Sequence, residues 1–396
     1  MCVLPWTHLE IDVNGSASPC CLYKGTIENY KVYDTNLKEI QQSKFMQDLR
    51  QQFINNERPT GCENCWMEED AGKVSKRMNS MYKMKKSLTD WDPNSEPKLK
   101  FIDFKLGNVC NLKCRICGSW SSSKWAQEEL DYGHNDLAKK QLHEGGWPKR
   151  NPQFFDDIKT VLPDVEYFEF TGGEPFMIKK HFNILKHCVE EGVSENQDIH
   201  YNTNGTQMPD DEIFELWSKF KHVEIAFSID DVGEQFEYQR HPAKWKEVNE
   251  NLASFKAMAP SNVTFQICST VNAFNIFSLA KLVYWVKQFD PKYFYVNTCF
   301  EPLCFNIQTL PRQVKDIATD RYGDIKDFQQ INNIVLKKNK TMKIKVRFIK
   351  YSAGIEKGTI KELPKQLANE VVNLGYAELL KEEETKPKPT RTRKAK

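Results

Sequence analysis

The sequence has no apolar run approaching the roughly 20 residues that a membrane-spanning helix needs, so no membrane partner is expected. It has no excess of charge of either sign. With 56 lysines and arginines against 54 aspartates and glutamates, the net charge of +2 offers no general attraction for nucleic acid or an anionic surface. The opening residues have no apolar core of the kind a signal peptide carries, because Glu10 and Asp12 interrupt them, and a cytoplasmic location is expected. Thiols stay reduced there, so the 12 cysteines are not expected to form a disulfide framework. None of them lies between 311 and 380.

The cysteines that are present cluster instead. Cys110, Cys114 and Cys117 stand with three and then two residues between them, in a loop that follows the strand-like run 100–106. One such loop can wrap three thiolates around a 4Fe-4S cluster, leaving the fourth iron open to a small molecule. A zinc knuckle or a trio of buried thiols is the alternative. A second group opens the chain. Leu9, Ile11 and Val13 alternate as in a half-buried strand, and Asn14-Gly15 signals a hairpin whose return brings Cys20 and Cys21 towards Cys2. With Cys62 and Cys65, these make two pairs suited to a closed site, either zinc or a fully ligated cluster. Cys20 is preferred on its spacing from Gly15, with Cys21 as the alternative. Between the pairs, Leu37 to Phe53 has the spacing of one amphipathic helix covering the hairpin.

A polar, turn-rich linker at 85–98 separates this module, 1–84, from a region where strands alternate with helices. Strands are expected near 100–106, 166–171, 198–203, 222–229, 263–271 and 293–299. Helices are expected over Pro175 to Glu191, Asp210 to Phe220, Trp245 to Met258 and Ile276 to Phe289. The fold class is α/β: a partial (β/α)6 TIM-like barrel over 99–310, with an insertion between its first two strands. An α/β extension, 311–380, follows, with helical patterns to Leu336 and a strand-like Lys343 to Ile349. A disordered basic tail, 381–396, ends the chain; a weak, salt-sensitive pull on nucleic acid is its alternative reading.

In such barrels chemistry gathers at the C-terminal ends of the strands. The second strand ends at Thr171 and leads into Gly172-Gly173-Glu174-Pro175, where glycines allow close approach and Glu174 supplies a negative partner for an ammonium group. The third ends in Asn202, Thr203 and Asn204. The fourth carries Ser228 and Asp230, a hydroxyl and a carboxylate suited to a ribose or an amino acid. Arg240 follows, and a surface salt bridge is its plain reading. The fifth and sixth strands present Gln266, Ser269, Asn272, Asn297 and Cys299, and Cys299 and Cys304 are candidate hydrogen donors.

The Cys-x3-Cys-x2-Cys loop followed by GGEP resembles the radical SAM superfamily, although Ile116 stands where an aromatic residue usually precedes the third cysteine. The N-terminal pattern, Cys2, Gly15, Cys20 and Cys62-x2-Cys65, resembles the SPASM/twitch module that carries an auxiliary 4Fe-4S cluster, normally placed after the barrel. The resemblance implies S-adenosylmethionine (SAM) as cofactor on the first cluster. Gly172, Gly173, Glu174 and Pro175 would lie at its amino group, Asn202 and Asn204 along its rim, Ser228 and Asp230 at its ribose or amino acid part, and Arg240 on its carboxylate. It also implies cleavage to a 5′-deoxyadenosyl radical that abstracts hydrogen from a substrate, with flavodoxin or ferredoxin as electron donor. Peptide or protein modification is the expected use. A small-metabolite enzyme and a non-catalytic iron-sulfur or zinc protein are the alternatives.

Overall fold

The computed structural model describes residues 1–27, 30–70, 74–84, 91–133, 135–299, 301–322, 343–348, 360–364 and 377–379. The chain divides into two compact units, Met1–Cys299 and Phe300–Lys396. The first is built on an eight-stranded sheet in the order β2-β1-β3-β4-β5-β6-β7-β8. These strands are β1 (His8–Ile11), β2 (Ala17–Ser18), β3 (Phe101–Phe104), β4 (Tyr167–Phe170), β5 (Asp198–Thr203), β6 (His222–Ser228), β7 (Val263–Val271) and β8 (Tyr293–Thr298). The six strands expected from the sequence are β3 to β8, and each pairs in parallel with the next.

The alternation of side chains explains why this sheet is covered on one face. Phe170, Tyr201 and Phe227 point outward to the helix layer, where they meet His181, Trp217 and Phe255 at ring separations of 4.8, 5.5 and 5.1 Å. The alternate residues, such as Asp103, Glu169, Asn202, Ser228 and Cys268, face the other way and line the inside of the partial barrel.

The N-terminal hairpin is part of this sheet. β1 pairs in parallel with β3, His8 opposite Phe101 through Ile11 opposite Phe104, and β2 closes the edge antiparallel to β1. Leu9 and Ile11 are fully buried and share the outward-facing side with Ile102 and Phe104. The expected linker therefore falls inside one compact unit, and Lys100 donates its N–H to Thr7 O at 2.8 Å.

Two expected helices are broken. The run from Leu37 forms Leu37–Gln41 and Lys44–Ile54, because Ser43 leaves the helix to accept from Met46 N–H as an N-cap. Arg50 and Gln41 then donate to Pro5 O and Trp6 O at 3.0 and 2.8 Å, so these helices cover the segment before the hairpin. The run from Pro175 starts as a 3₁₀ turn to Met177 and restarts as Lys180–Glu190. Asp211–Trp217, Trp245–Met258 and Leu279–Phe289 lie within the other expected ranges. The insertion after β3 folds as Ser123–Asp131, Asn135–Gly145 and shorter turns.

The second unit holds the helix Arg312–Tyr322 and an antiparallel sheet in which β9 (Lys343–Phe348) lies between β10 (Ile360–Pro364) and β11 (Ala377–Leu379). The helical pattern expected over 325–336 and the basic tail lie outside the described residues. Among the described residues no helix is long and apolar enough to cross a membrane.

His181 makes the outer core sensitive to acid. It is fully buried, with Nδ1 2.7 Å from Ile178 O and Nε2 3.1 Å from the Tyr201 hydroxyl, and burial lowers its pKa to about 4. The unfolded chain binds a proton below about 6.5 that the fold refuses, so this contribution is complete above that pH and is lost as pH falls towards 4. Urea titrations at pH 7 and pH 4 should show His181→Gln losing on the order of 3 kcal/mol less than the parent over this interval. Equal losses would mean that His181 is protonated in the folded protein.

Candidate active site and cluster-binding loops

The loop carrying Cys110, Cys114 and Cys117 leaves the end of β3 and is fixed by its own backbone. Ser122 Oγ donates to Leu112 O at 2.6 Å, Trp125 Nε1 to Cys114 O at 2.9 Å, and Arg115 N–H to Gln239 O at 2.8 Å. Asn108 ties the loop to the insertion by donating to Ser119 O and Gln141 O at 3.1 and 3.2 Å. The three thiols are half-buried and unbridged. Burial raises their pKa values, with Cys110 at about 11 and Cys117 at about 12.

The GGEP turn lies directly on this loop. A Cβ on Gly173 would stand 2.2 Å from Val109 O and 2.7 Å from Val109 C, and Glu174 N–H donates to Val109 O at 2.7 Å. Gly172 has φ of +103°, and a Cβ there would stand 3.1 Å from Gly107 O. The glycines therefore serve an approach of backbone to backbone. Glu174 is fully buried, and its carboxylate accepts from Thr203 Oγ1 at 2.8 Å, Asn204 N–H at 2.8 Å and Phe176 N–H at 3.2 Å. Burial raises its pKa to about 7, against the pull of those donors. It binds the end of β5 to the turn after β4.

Asn204 continues the chain of contacts, donating to Asn111 Oδ1 at 3.1 Å, with its Nδ2 4.0 Å from Cys110 Sγ. On the opposite side, Asp230 accepts from Arg240 Nε and Nη2 at 2.9 and 2.7 Å and from Thr270 N–H at 2.8 Å. Arg240 Nη1 lies 4.0 Å from Cys114 Sγ. Both partners of this ion pair are buried, so Arg240 is not a surface salt bridge. Asp231 accepts from Val232 N–H at 2.9 Å, Gln239 Nε2 at 3.3 Å and the Ser278 hydroxyl, and its backbone does not enter the left-handed region. Asn202 and Ser228 are half-buried on the inner face.

Sequence reasoning misplaced several side chains. Ser269 is fully buried, its hydroxyl without a hydrogen-bond partner among the described residues, because in β7 it is Gln266, Cys268 and Thr270 that take the inner face. Asn272 is buried in contacts with Gln239 and Thr270. Cys299 is buried, and Cys304 belongs to the second unit. In β7 the thiol on the inner face is Cys268, half-buried near Asp230 and Arg240; strict alternation along the strand would have found it.

In the N-terminal group, Cys2, Cys20, Cys62 and Cys65 lie together, packed with Trp6, Phe53 and Trp66. Burial first, and then their mutual proximity, raises Cys2, Cys20 and Cys62 to about 12. Cys21 turns away towards Lys76, Asp103 and Glu169. Among the described residues, no three His, Cys, Asp or Glu side chains converge on a single-ion site. Both sets consist of cysteine thiols alone, a soft donor set that suits an iron-sulfur cluster.

A profile of the radical SAM superfamily matches residues 104–269, and one of an iron-sulfur cluster-binding domain, SPASM, matches residues 2–66. The chain carries a radical SAM domain. Its SPASM domain precedes the radical SAM domain. Similar solved structures include native anSMEcpe with bound AdoMet, at 20% identity over 51% of this chain and 52% of that chain, with a TM-score of 0.36. Native anSMEcpe with AdoMet and Cp18Cys peptide is similar at 17% identity, over 60% and 62% of the two chains, with a TM-score of 0.39. Streptococcus suis SuiB bound to precursor peptide SuiA is similar at 14%, over 76% and 64%, with a TM-score of 0.35. The match spans about half the length of the first of these. No curated protein matches the sequence.

The contact of Gly173 with the cysteine loop is open to test. Gly173→Ala places a methyl group against the Val109 carbonyl and should displace the radical SAM loop while leaving Cys2, Cys20, Cys62 and Cys65 in place. Reconstituted protein should then lose about half its iron. Full iron content would show that the loop yields to the methyl group.

Proposed function

We propose that this enzyme modifies a peptide or protein, with Cys110, Cys114 and Cys117 as ligands of the SAM-binding cluster and Cys2, Cys20, Cys62 and Cys65 as ligands of an auxiliary one. The observation that carries the reading is the three-thiol loop packed on the GGEP turn and flanked by the Arg240–Asp230 pair at the strand ends. When bound, the first cluster and SAM supply one-electron cleavage to a 5′-deoxyadenosyl radical, which abstracts hydrogen from an unactivated carbon.

The residues of the chain set the conditions for that chemistry. Arg240, held rigid by Asp230, brings a fixed positive charge to Cys114 and favours its thiolate. Its remaining donor directions suit the SAM carboxylate. Glu174 has its oxygens engaged by protein donors, so it acts by fixing the Gly172-Gly173 turn, whose backbone carbonyls remain the partners for an ammonium group. Asn202, Asn204 and Ser228 supply polar contacts along the rim. The inner face beyond them stays accessible, with Gln266 and Cys268 half-buried and Tyr295 half-exposed, which gives room for a side chain presented from outside. Flavodoxin or ferredoxin would serve as electron donor.

Anaerobic iron and sulfide analysis, with 5′-deoxyadenosine formation from SAM and dithionite, tests the assignment. The parent should hold about eight irons, and the Cys110→Ala, Cys114→Ala, Cys117→Ala variant about four with no deoxyadenosine. Four irons and one zinc in the parent would remove the auxiliary cluster. Turnover of small molecules with no change in any peptide would remove the peptide reading.

A further inference from the structure

The inner face carries charge at a level below the strand ends, where the cofactor assignments use no residue. The sheet register aligns Glu10 with Asp103, Asp103 with Glu169, Glu169 with His200, His200 with Glu224, and Glu224 with Thr264. This row crosses six strands on the side away from the helix layer. Glu10 pairs with Lys105, and Glu224 accepts from His200 Nδ1 at 2.8 Å. Glu169 has Lys76, from the helix Lys76–Lys83, at 3.7 Å. Asp103, 2% exposed, has only the Thr171 hydroxyl as a hydrogen-bond partner among the described residues, at 3.2 Å. Burial and the neighbouring Glu169 push its carboxyl well above the usual range, whereas Lys76 and His200 overcome burial to keep Glu169 ionised.

A second observation comes from the next level down. His8, fully buried, faces the same side in register with Phe101 and lies close to the charges of Lys76, Glu169 and Lys105. Its Nδ1 is 2.8 Å from Pro19 O, a contact that only an N–H can make, so the neutral ring presents Nε2 as a bare acceptor. That Nε2 has no hydrogen-bond partner among the described residues. An acceptor-only nitrogen and an under-partnered carboxyl thus sit on one face, and a group that complements both must be rich in donors. Ammonium and guanidinium groups carry donors only.

We propose that Asp103, Glu169 and His8 form a subsite for the cationic end of a lysine or arginine side chain of the substrate. This assignment rests on the reading of the protein as a peptide-modifying enzyme and names the residue class it takes. The arriving cation restores the charge of Asp103, shares Glu169 with Lys76 and donates to His8 Nε2. Glu169 lies two residues before Thr171, about 7 Å at the usual strand rise, so the chain carbons of the bound residue reach the level of the strand ends where SAM is assigned.

Two probes separate this subsite from the peptide reading. The first is n-pentylamine against 1-pentanol, followed by thermal shift of the reconstituted protein with SAM. The second is a set of peptide pools with lysine, arginine, norleucine or glutamine at one position and mixed residues elsewhere, followed by binding and by mass change. The amine should bind about tenfold more tightly than the alcohol, and the lysine or arginine pools about tenfold more tightly than norleucine. Asp103→Asn should abolish both preferences, and Glu169→Gln serves if that variant does not fold. An amine that binds no better than the alcohol overturns the subsite, whatever the peptides do. An amine preference lost in either variant, with no peptide bound or modified, supports the subsite and defeats the peptide reading.

Discussion

The parallel pairing of β1 with β3 is the constraint on which the arrangement of this protein depends. It brings a four-residue strand from the start of the chain against the first barrel strand, nearly a hundred residues later, with Leu9 and Ile11 buried and Glu10 directed inward to Lys105. Because side chains alternate, a shift of one residue would bury Glu10 in the helix layer and expose Leu9 on the inner face. The register therefore fixes the N-terminal cysteines relative to the barrel. It also explains why Cys20 and Cys21 part company: Cys20 joins Cys2, Cys62 and Cys65, while Cys21 points to Asp103 and Glu169.

The two thiol groups are both unfavourable to ionise without a metal, and for the same reason. Burial removes solvent from each sulfur, and the neighbouring thiols add repulsion once one of them is charged. A cationic cluster reverses both terms at once, so cluster assembly is coupled to loss of the thiol protons. The barrel set has an added device in Arg240. Its charge is balanced by Asp230, yet one nitrogen remains turned to Cys114 and offsets part of the cost that burial puts on ionising this thiol, whose pKa still stays raised. The N-terminal set has Arg77 near Cys2 and Cys65 in a comparable place, held by Glu69 and stacked on Trp66.

Much of the barrel was legible because its strands alternate between aromatic or aliphatic residues and polar ones, and because turn motifs mark their ends. Tyr167-Phe168-Glu169-Phe170 reads as a strand on this ground alone. The cysteine loop and GGEP were legible as motifs, but not the contact between them. That Gly173 is needed by Val109 is a fact of three-dimensional closeness, and so is the saturation of Glu174 by Thr203 and Asn204. The pairing of β1 was hidden because alternation says that a strand exists, not which edge it joins. The charged row was hidden for a related reason: a lone acidic residue in a short strand reads as solvated, and only the register places Asp103, Glu169 and Glu224 side by side.

The levels of the inner face differ in chemistry in a way that separates two tasks. At the strand ends, Glu174 and Asp230 have their oxygens committed to protein donors, and what remains there is rigid backbone and one guanidinium direction. Rigid, saturated groups hold a cofactor in one geometry and do not reorganise when it reacts. Lower down, His8 Nε2 has no hydrogen-bond partner among the described residues, and the long Lys76–Glu169 contact leaves that carboxylate able to take another partner. A reactive radical must meet one hydrogen among many, and a charge anchored one level below the cofactor fixes which carbon is presented. Selectivity would then reside in residues that never touch SAM.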